Sequence, residues 1–415
     1  MLSLIQEEAF SSTYKRALTN DLISSEDTSI IFFDTDKLEE KLQYLKTLFP
    51  ESTHAIAIKS NPLIVNLKTI LEYGFSLEAA SMEEIELAKA AGAENHQIVF
   101  DSPVKTTTEI QLLAEQLKGI HVNANCIEEL DRLKILQDHV VGLRINPLVD
   151  PGSPDHLSVS RSSSKFGVPI SLENEIIQAA LDYDNVQCLH VHIGSQIDDL
   201  NSLPIALERI LDLARIINQR AGFKKIHTID LGGGFPVNYQ LDSVLGMEQL
   251  RENILRRTPQ LFSEYKTITE FGRFPNAHTS WMVSEIEYEL SYTTPKTIMV
   301  HLGADSFVRE IYSFQEKHRK FILSGKDYSI KKGQETAYQI GGPLCFGGDF
   351  LSRNCLLPKV EKADKLVIAD VGANTFSLWS RHCSRAFPKV IAYSKDKMEI
   401  IKSRESYTDI INFWS

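Results

Sequence analysis

The sequence predicts an α/β protein: a (β/α)8 barrel of the TIM type joined to a mostly β C-terminal domain. Three observations point there. Short apolar runs alternate with amphipathic helical stretches over roughly 240 residues, the length such a barrel requires. The alternation stops near residue 280, and strand-like runs follow with little helix between them. One apolar run, Ile30–Phe33, precedes the alternating part.

Residues 1–27 form a polar, partly helical lead-in. Ile30–Phe33 is short and apolar, as a strand is, and a helical stretch follows from about Thr35 to Leu48. The apolar runs of the alternating region are Ala55–Ile58, Phe75–Leu77, Ile98–Phe100, Ile120–Val122, Val140–Ile145, Cys188–Ile193, Ile226–Leu231 and Thr267–Thr269. Segments between them, such as Ser81–Ala91 and Ile205–Arg220, space apolar residues for one face of a helix. Strand counting alone fits a doubly wound sheet as well as a closed barrel. Met282–Leu290, Thr297–Leu302, Lys320–Leu323, Ala337–Ile340 and Lys365–Ala369 are the strands of the second domain. The expected division is therefore 1–34 as a segment joining the β domain, 35–280 as the barrel and 281–415 as the β domain.

Composition narrows the function. Hydrophobic residues make up 43% and charged residues 24%, the balance of a folded globular protein. The net charge of −11 argues against nucleic acid, which needs a basic surface, but a local site can still be positive for an anionic cofactor. The five cysteines are odd in number and form no CxxC pair, which points to a reduced, cytoplasmic protein without a disulfide framework or zinc site. No run approaches the ~20 apolar residues of a membrane-spanning helix, and the N-terminus does not have the pattern of a secretory signal.

Six segments carry chemistry. In His54–Pro62, HAIAIKSNP, Lys59 ends an apolar strand, where barrel side chains meet the active site. An amine there can form an imine with an aldehyde cofactor; a surface lysine past a buried strand is the plainer reading. Asp230–Pro236, DLGGGFP, sets Gly232, Gly233 and Gly234 after a strand. Three glycines let backbone N–H groups approach a phosphate, where one suffices for a turn. Glu270–Arg273, EFGR, places a carboxylate at a strand end, able to keep a pyridine nitrogen protonated, and an arginine able to clamp a phosphate. Gly272 stands between them, and a surface ion pair is the alternative.

His190–Gln196, HVHIGSQ, puts His190 and His192 on one face of a strand, with Ser195 beyond for a phosphate oxygen. One histidine can stack on an aromatic ring. A packed core histidine or a metal pair is the alternative, and no third ligand follows from spacing, so no metal is expected. Gly341–Asp349, GGPLCFGGD, presents the thiol of Cys345 between glycines, unless that cysteine is simply buried. Asp370–Thr375, DVGANT, is a polar turn after a strand and carries no weight alone.

Taken in this order, with SSKFGV at Ser163–Val168, the segments resemble the fold-type III pyridoxal-phosphate decarboxylases. That family includes diaminopimelate, ornithine and arginine decarboxylases and shares its architecture with alanine racemase. The resemblance spans about residues 28–395. It implies pyridoxal 5'-phosphate as cofactor, an amino acid as substrate, and a homodimer with shared active sites. It further implies that Lys59 forms the imine, His192 stacks on the pyridine ring and Glu270 pairs with its nitrogen. Ser195, Gly232, Gly233, Gly234, Gly272 and Arg273 would hold the phosphate. Cys345 would reach in from the partner subunit and help protonate the product, and Asp349 matches the aspartate that closes the same loop near the substrate.

The chain departs from the family pattern at three positions. The acidic residue that usually follows the loop cysteine and meets a distal ammonium is Phe346 here. The tyrosine usual in GAYT, which contributes to the phosphate site, is Asn374. The proline of EPGR is Phe271. A phenyl ring cannot neutralise an ammonium, so the expected substrate is an amino acid or conjugate whose distal group is neutral, acidic or conjugated. Arg309, in the loop after HLGAD, is a candidate for a distal carboxylate, though its spacing is not the family's usual one and an exposed loop arginine is the alternative. Rival functions are a racemase or other pyridoxal-phosphate lyase on the same fold, a non-catalytic regulatory homologue, and a metal-dependent barrel hydrolase. Glu270 speaks against racemisation, Lys59 with the glycines against a non-catalytic role, and the lack of a ligand cluster against the hydrolase.

Overall fold

The computed structural model describes residues 4–150, 152, 159–239, 246–313 and 318–415. The chain divides into two compact units, Lys41–Val237 with Val244–Phe274, and Met1–Glu40 with Asn238–Ser243 and Pro275–Ser415.

The first strand, β1 (Ser29–Asp34), lies in the second of these units. The other unit is built on β2 (Ser52–Ala57), β3 (Ser76–Ala79), β4 (Ile98–Phe100), β5 (His121–Ala124), β6 (Val141–Asn146), the two-residue β7 (Val168–Pro169), β8 (Val186–Val191), β9 (Thr228–Asp230) and β10 (Lys266–Thr269). These strands pair in the order β5-β4-β3-β2-β10-β9-β8-β6, and β5 pairs with β6. All the pairings are parallel. The sheet therefore closes on itself, whereas a doubly wound sheet would leave two open edges. This decides between the two readings of the alternation. β7 only adds a short pairing to the end of β6.

Local chemistry explains the helices between the strands. Met82–Ala90 starts where the Ser81 hydroxyl accepts the Glu84 N–H at 3.2 Å. Thr107–Gln116 starts at a reciprocal capping box of Thr106 and Glu109. Ser202–Ala221 buries Leu203, Leu207, Ile210, Leu211, Ala214 and Ile217, the three- and four-residue spacing of one helical face, and ends at left-handed Gly222. The barrel strands are buried on both faces; all six residues of β6 are buried. Among the buried residues are Glu78, Asp101, Arg144, His190, Asp230 and Glu270, none more than 8% exposed.

The other unit continues from β1 with β11 (Ser280–Leu290), β12 (Lys296–Val300), β13 (Lys320–Leu323), β14 (Glu335–Gly341), β15 (Phe350–Pro358), β16 (Lys365–Ile368), β17 (Lys389–Tyr393) and β18 (Met398–Lys402). The main path runs β15-β14-β12-β11-β1-β17-β18, with β16 pairing β11 and β13 pairing β16. β1 lies antiparallel to β11 and parallel to β17. Phe32 stands opposite Trp281 in this register, and their rings stack at 4.1 Å between centroids. The helix Glu7–Thr19 covers this core with Phe10, Tyr14 and Ala17. Trp281 is fully buried, and its indole N–H donates to the Tyr393 hydroxyl at 3.1 Å. Trp281→Ala should cost about 3–5 kcal/mol, chiefly through the cavity it leaves, because the Tyr393 hydroxyl keeps its bond to Asp34. Urea unfolding followed by a probe in this unit checks it. Among the described residues no helix is long and apolar enough to cross a membrane.

Candidate active site

The barrel gathers its charged side chains at strand ends. Lys59 sits in the turn Ile58–Ser60 directly after β2. Upstream in the same segment, His54 Nδ1 meets Thr269 Oγ1 at 2.8 Å, tying β2 to β10. Lys59 Nζ donates to both oxygens of Glu78, on β3, at 2.8 and 2.7 Å. Partial desolvation at the strand end opposes the lysine charge, although the side chain is 53% exposed, and the carboxylates of Glu78, Glu270 and Asp101 outweigh it and hold the ammonium above its ordinary range. Burial, relieved in part by Lys59 and reinforced by Glu270, pushes the Glu78 carboxyl up to about 7.

Glu270 follows β10. Its carboxylate lies 3.3 Å from His190 Nε2. Burial alone would raise its pKa, but His190, His192 and Lys59 pull it well below the usual carboxylate range. One oxygen, Oε1, is buried and makes no hydrogen bond. An ionised buried oxygen without a donor is costly, so the position suits a donor from a bound molecule.

His192 lies one residue past the end of β8. Its Nδ1 accepts the Gly233 N–H at 2.9 Å, which defines the neutral ring with its other proton on Nε2. Burial and nearby Arg144 push this imidazole down to about 3. The ring is therefore an uncharged face rather than a cation.

The glycines after β9 are there for want of space. A Cβ on Gly232 would strike the Val191 carbonyl, and its φ of 66° is left-handed. A Cβ on Gly233 would come within 2.5 Å of the Glu270 carbonyl, and one on Gly234 would strike the Gly194 carbonyl. Asp230 anchors the turn by accepting the Gly232 N–H at 2.9 Å. Gly272 lies so close to β2 that a Cβ would be 2.9 Å from that of Ala57. Arg273 donates to the Ser195 hydroxyl at 3.4 Å. The barrel thus places a cation and a hydroxyl together, with a bare glycine turn following β9 in the same unit. Phe271 does not face this chemistry: it is buried, its ring 6.0 Å from that of Phe49.

These features fit pyridoxal phosphate: an unpartnered carboxylate oxygen for a pyridine N–H, a flat neutral imidazole, an amine at a strand end, and glycines with a serine and an arginine for a phosphate. Bound here, the cofactor would supply an electron sink for a carboxyl group leaving an α-carbon.

Sequence reading did not single out Glu78, Asp101 and Arg144. Arg144 NH1 bonds Asp101 Oδ2 at 2.9 Å, and its guanidinium lies 4.5 Å from the Phe166 ring centre. Phe166 belongs to SSKFGV, so one thing that segment does is pack on Arg144. The available signal was a charge inside each apolar strand, in SLEA and VGLRIN, and at the end of IVFD. Asp101, His190 and Glu270 also offer ligand atoms within 4.8 Å of one another, as a metal site would. The Arg144 cation on Asp101 already neutralises part of that set.

The remaining candidates lie in the β unit. Arg309 is not on a loop but on the short helix Val308–Tyr312, and it is half-buried. Cys345 is exposed. Asp349 accepts backbone N–H groups of Ala304 at 2.6 Å and Leu344 at 2.7 Å, so its two oxygens hold the loop together. Phe346 stacks on Tyr312 with centroids 5.2 Å apart and planes at 23°, and His382 lies 6.1 Å away. Tyr312 Oη and His382 Nδ1 meet at 3.2 Å. Asn374 takes a left-handed φ of 54°, which asparagine tolerates better than most residues.

Residues 35–277 match the family model described as pyridoxal-dependent decarboxylase, pyridoxal binding domain. The diaminopimelate decarboxylase of Archaeoglobus fulgidus is 28% identical over 385 residues, covering 90% of each chain. That of Helicobacter pylori is 26% identical over 405 residues, covering 94% of this chain and 96% of its own. The crystal structure of the Helicobacter pylori enzyme complexed with L-lysine superposes with a TM-score of 0.85 at 24% identity, over 95% of this chain and 99% of that one. This last likeness carries the fold.

Proposed function

The chain belongs to the pyridoxal-dependent decarboxylases and is a pyridoxal-phosphate-dependent amino-acid decarboxylase; from that premise we propose that its substrate carries a distal group that is neutral, acidic or conjugated rather than an ammonium. The observation that carries this reading is the Tyr312–Phe346 stack, at the loop position where the resemblance leads one to expect a carboxylate. Aromatic faces favour flat, conjugated or apolar groups and offer a free ammonium no counter-charge comparable to a carboxylate. Arg309, on the same helix as Tyr312, supports an acidic group.

In this proposal Lys59 Nζ is the point of covalent attachment, and Glu78, at 2.7 Å, is the nearest acceptor for the proton that Nζ sheds. His192 gives the ring a neutral face. Glu270 Oε1 holds the pyridine N–H. The glycines 232–234, Ser195, Gly272 and Arg273 seat the phosphate. Cys345 returns a proton to the substrate carbon, with the enzyme a cytoplasmic homodimer and this loop serving the other copy's site. Its exposed thiol supports that reading.

Carbon dioxide release from a panel of amino acids tests the substrate class. The expected result is a kcat/KM at least about tenfold higher for a neutral or acidic distal group than for diaminopimelate or ornithine, the discrimination one mismatched polar contact supplies. Preferred turnover of either diamine overturns the reading.

A further inference from the structure

We propose that Asp101 and His190 are positioning residues: with Arg144 they form a buried row of alternating charge that holds Glu270 ionised and aimed, and through it keeps the cofactor's pyridine nitrogen protonated. The inference rests on the family's cofactor and not on the identity of the substrate.

The row crosses four strands, with Arg144 and His190 inside theirs and Asp101 and Glu270 directly after theirs. Arg144 NH1 on β6 meets Asp101 Oδ2, after β4, at 2.9 Å. Asp101 Oδ1 lies 3.5 Å from His190 Nδ1, on β8. His190 Nε2 lies 3.3 Å from Glu270 Oε2, after β10. His190 is wholly buried and the other three are at most 8% exposed. Both ring nitrogens of His190 thus lie within ion-pair distance of a carboxylate oxygen, without a hydrogen bond to either, and only the imidazolium sets a positive charge between the two. The signs alternate along the row: guanidinium, carboxylate, imidazolium, carboxylate. The last carboxylate ends in Oε1, the buried oxygen that makes no hydrogen bond. The donor it awaits continues the alternation.

The neighbouring groups single out His190 as the histidine that keeps its proton. His121 pairs with Asn123 Oδ1 at 3.0 Å, and burial drives it down to about 4. His192 accepts an N–H at Nδ1 and is neutral. His190 also suffers burial, but Asp101, Glu270 and then Asp230 more than offset it and hold it at about 9. Without Asp101, His190 would face the Arg144 guanidinium across a neutral gap, and the proton that secures Glu270 would be lost at lower pH. Outer partners of this kind orient the group in contact with a cofactor.

The test uses the holoenzyme loaded with pyridoxal phosphate labelled with nitrogen-15 in the ring. The nitrogen shift reads ring protonation directly, whatever the substrate. In the wild type the ring nitrogen should remain protonated to about pH 9 and lose its proton as pH rises past the His190 transition. Asp101→Asn and His190→Gln, both close in size to the residues they replace, should lower that transition by about one pH unit or more and weaken cofactor binding about tenfold, one unit being a tenfold change. On any turned-over amino acid, kcat should fall about tenfold or more, with KM within about threefold. A merely structural role would lower thermal stability without moving the nitrogen shift. The proposal is overturned if all three proteins give the same shift and cofactor affinity from pH 6 to 10. It is also overturned if the wild-type holoenzyme carries one tightly bound divalent metal that His190→Gln loses. If either variant fails to fold, the wild-type titration still decides, because a protonation state flat across pH 9 removes His190 from the chain of effects.

Discussion

Lys59→Ala should abolish turnover, with kcat down about 10⁴-fold or more, because one side chain supplies both the attachment point and a proton-transferring amine. The geometry makes the expected phenotype specific. Nζ donates to both oxygens of Glu78, so the substitution leaves that carboxylate without its cation. Glu78 is already pushed up to about 7 with Lys59 present, and without it should take up a proton at neutral pH, remaining neutral rather than unfolding the barrel. The phosphate seat lies on other strand ends and is untouched, so the variant should still bind pyridoxal phosphate. Borohydride followed by mass measurement separates the outcomes. The wild-type chain should gain the mass of the reduced cofactor, and Lys59→Ala should not. A variant that still gains that mass would place the attachment at another lysine. Lys105 is a buried alternative within the barrel, and its bonds to the Ser102 and Asn123 carbonyls already occupy it.

His190 also makes stability depend on pH. Its folded-state pKa of about 9 lies above the ordinary 6.5. The stabilisation from its proton is therefore complete below about 6.5 and fades as pH rises towards 9. This alkaline loss should be smaller in Asp101→Asn, whose His190 titrates closer to its unfolded value.

The barrel is legible in the sequence because parallel strands buried on both faces read as unbroken apolar runs, and the helices between them keep a clear period. Closure is not legible: it rests on the pairing of β5 with β6, a contact between strands that no local pattern encodes. The β unit reads less well. β15, FLSRNCLLP, alternates poorly and is half exposed, and β17 and β18 are short pieces among turns. In the site, the strand-end lysine, the glycines and the carboxylate of EFGR stand out because each breaks an apolar run with a group of unusual chemistry. Glu78, Asp101 and Arg144 break such runs too. Their meaning lies in pairings between residues 19 to 43 positions apart, Lys59 with Glu78 and Asp101 with Arg144, and only the folded barrel brings those together. Phe346 is the reverse case. Its departure from the family pattern is visible in one residue, while its partners Tyr312 and His382 appear only in the structure.

Phe346→Glu should move specificity towards substrates with a distal ammonium, raising kcat/KM for diaminopimelate or ornithine about 10- to 100-fold and lowering it for the native substrate. A charge-assisted contact to an ammonium is worth about 1.5–3 kcal/mol, which sets that range. The change is tolerable for the fold, because Phe346 is half-buried at a loop position and its ring rests on Tyr312, which is itself 48% exposed. Loss of one exposed ring stack costs about 0.5–1.5 kcal/mol, too little to unfold the unit. The loop keeps its shape because Asp349, and not Phe346, receives the N–H groups of Ala304 and Leu344. The two readings of Phe346 separate in the kinetics. If position 346 sets substrate choice by offering an ammonium no counter-charge, the gain for the diamines appears mainly in KM, and Phe346→Ala, which removes the ring without adding a charge, shows little of it. If Phe346 only packs the loop, Phe346→Glu and Phe346→Ala weaken turnover of every amino acid alike, and substrate choice must be sought elsewhere, first at Arg309.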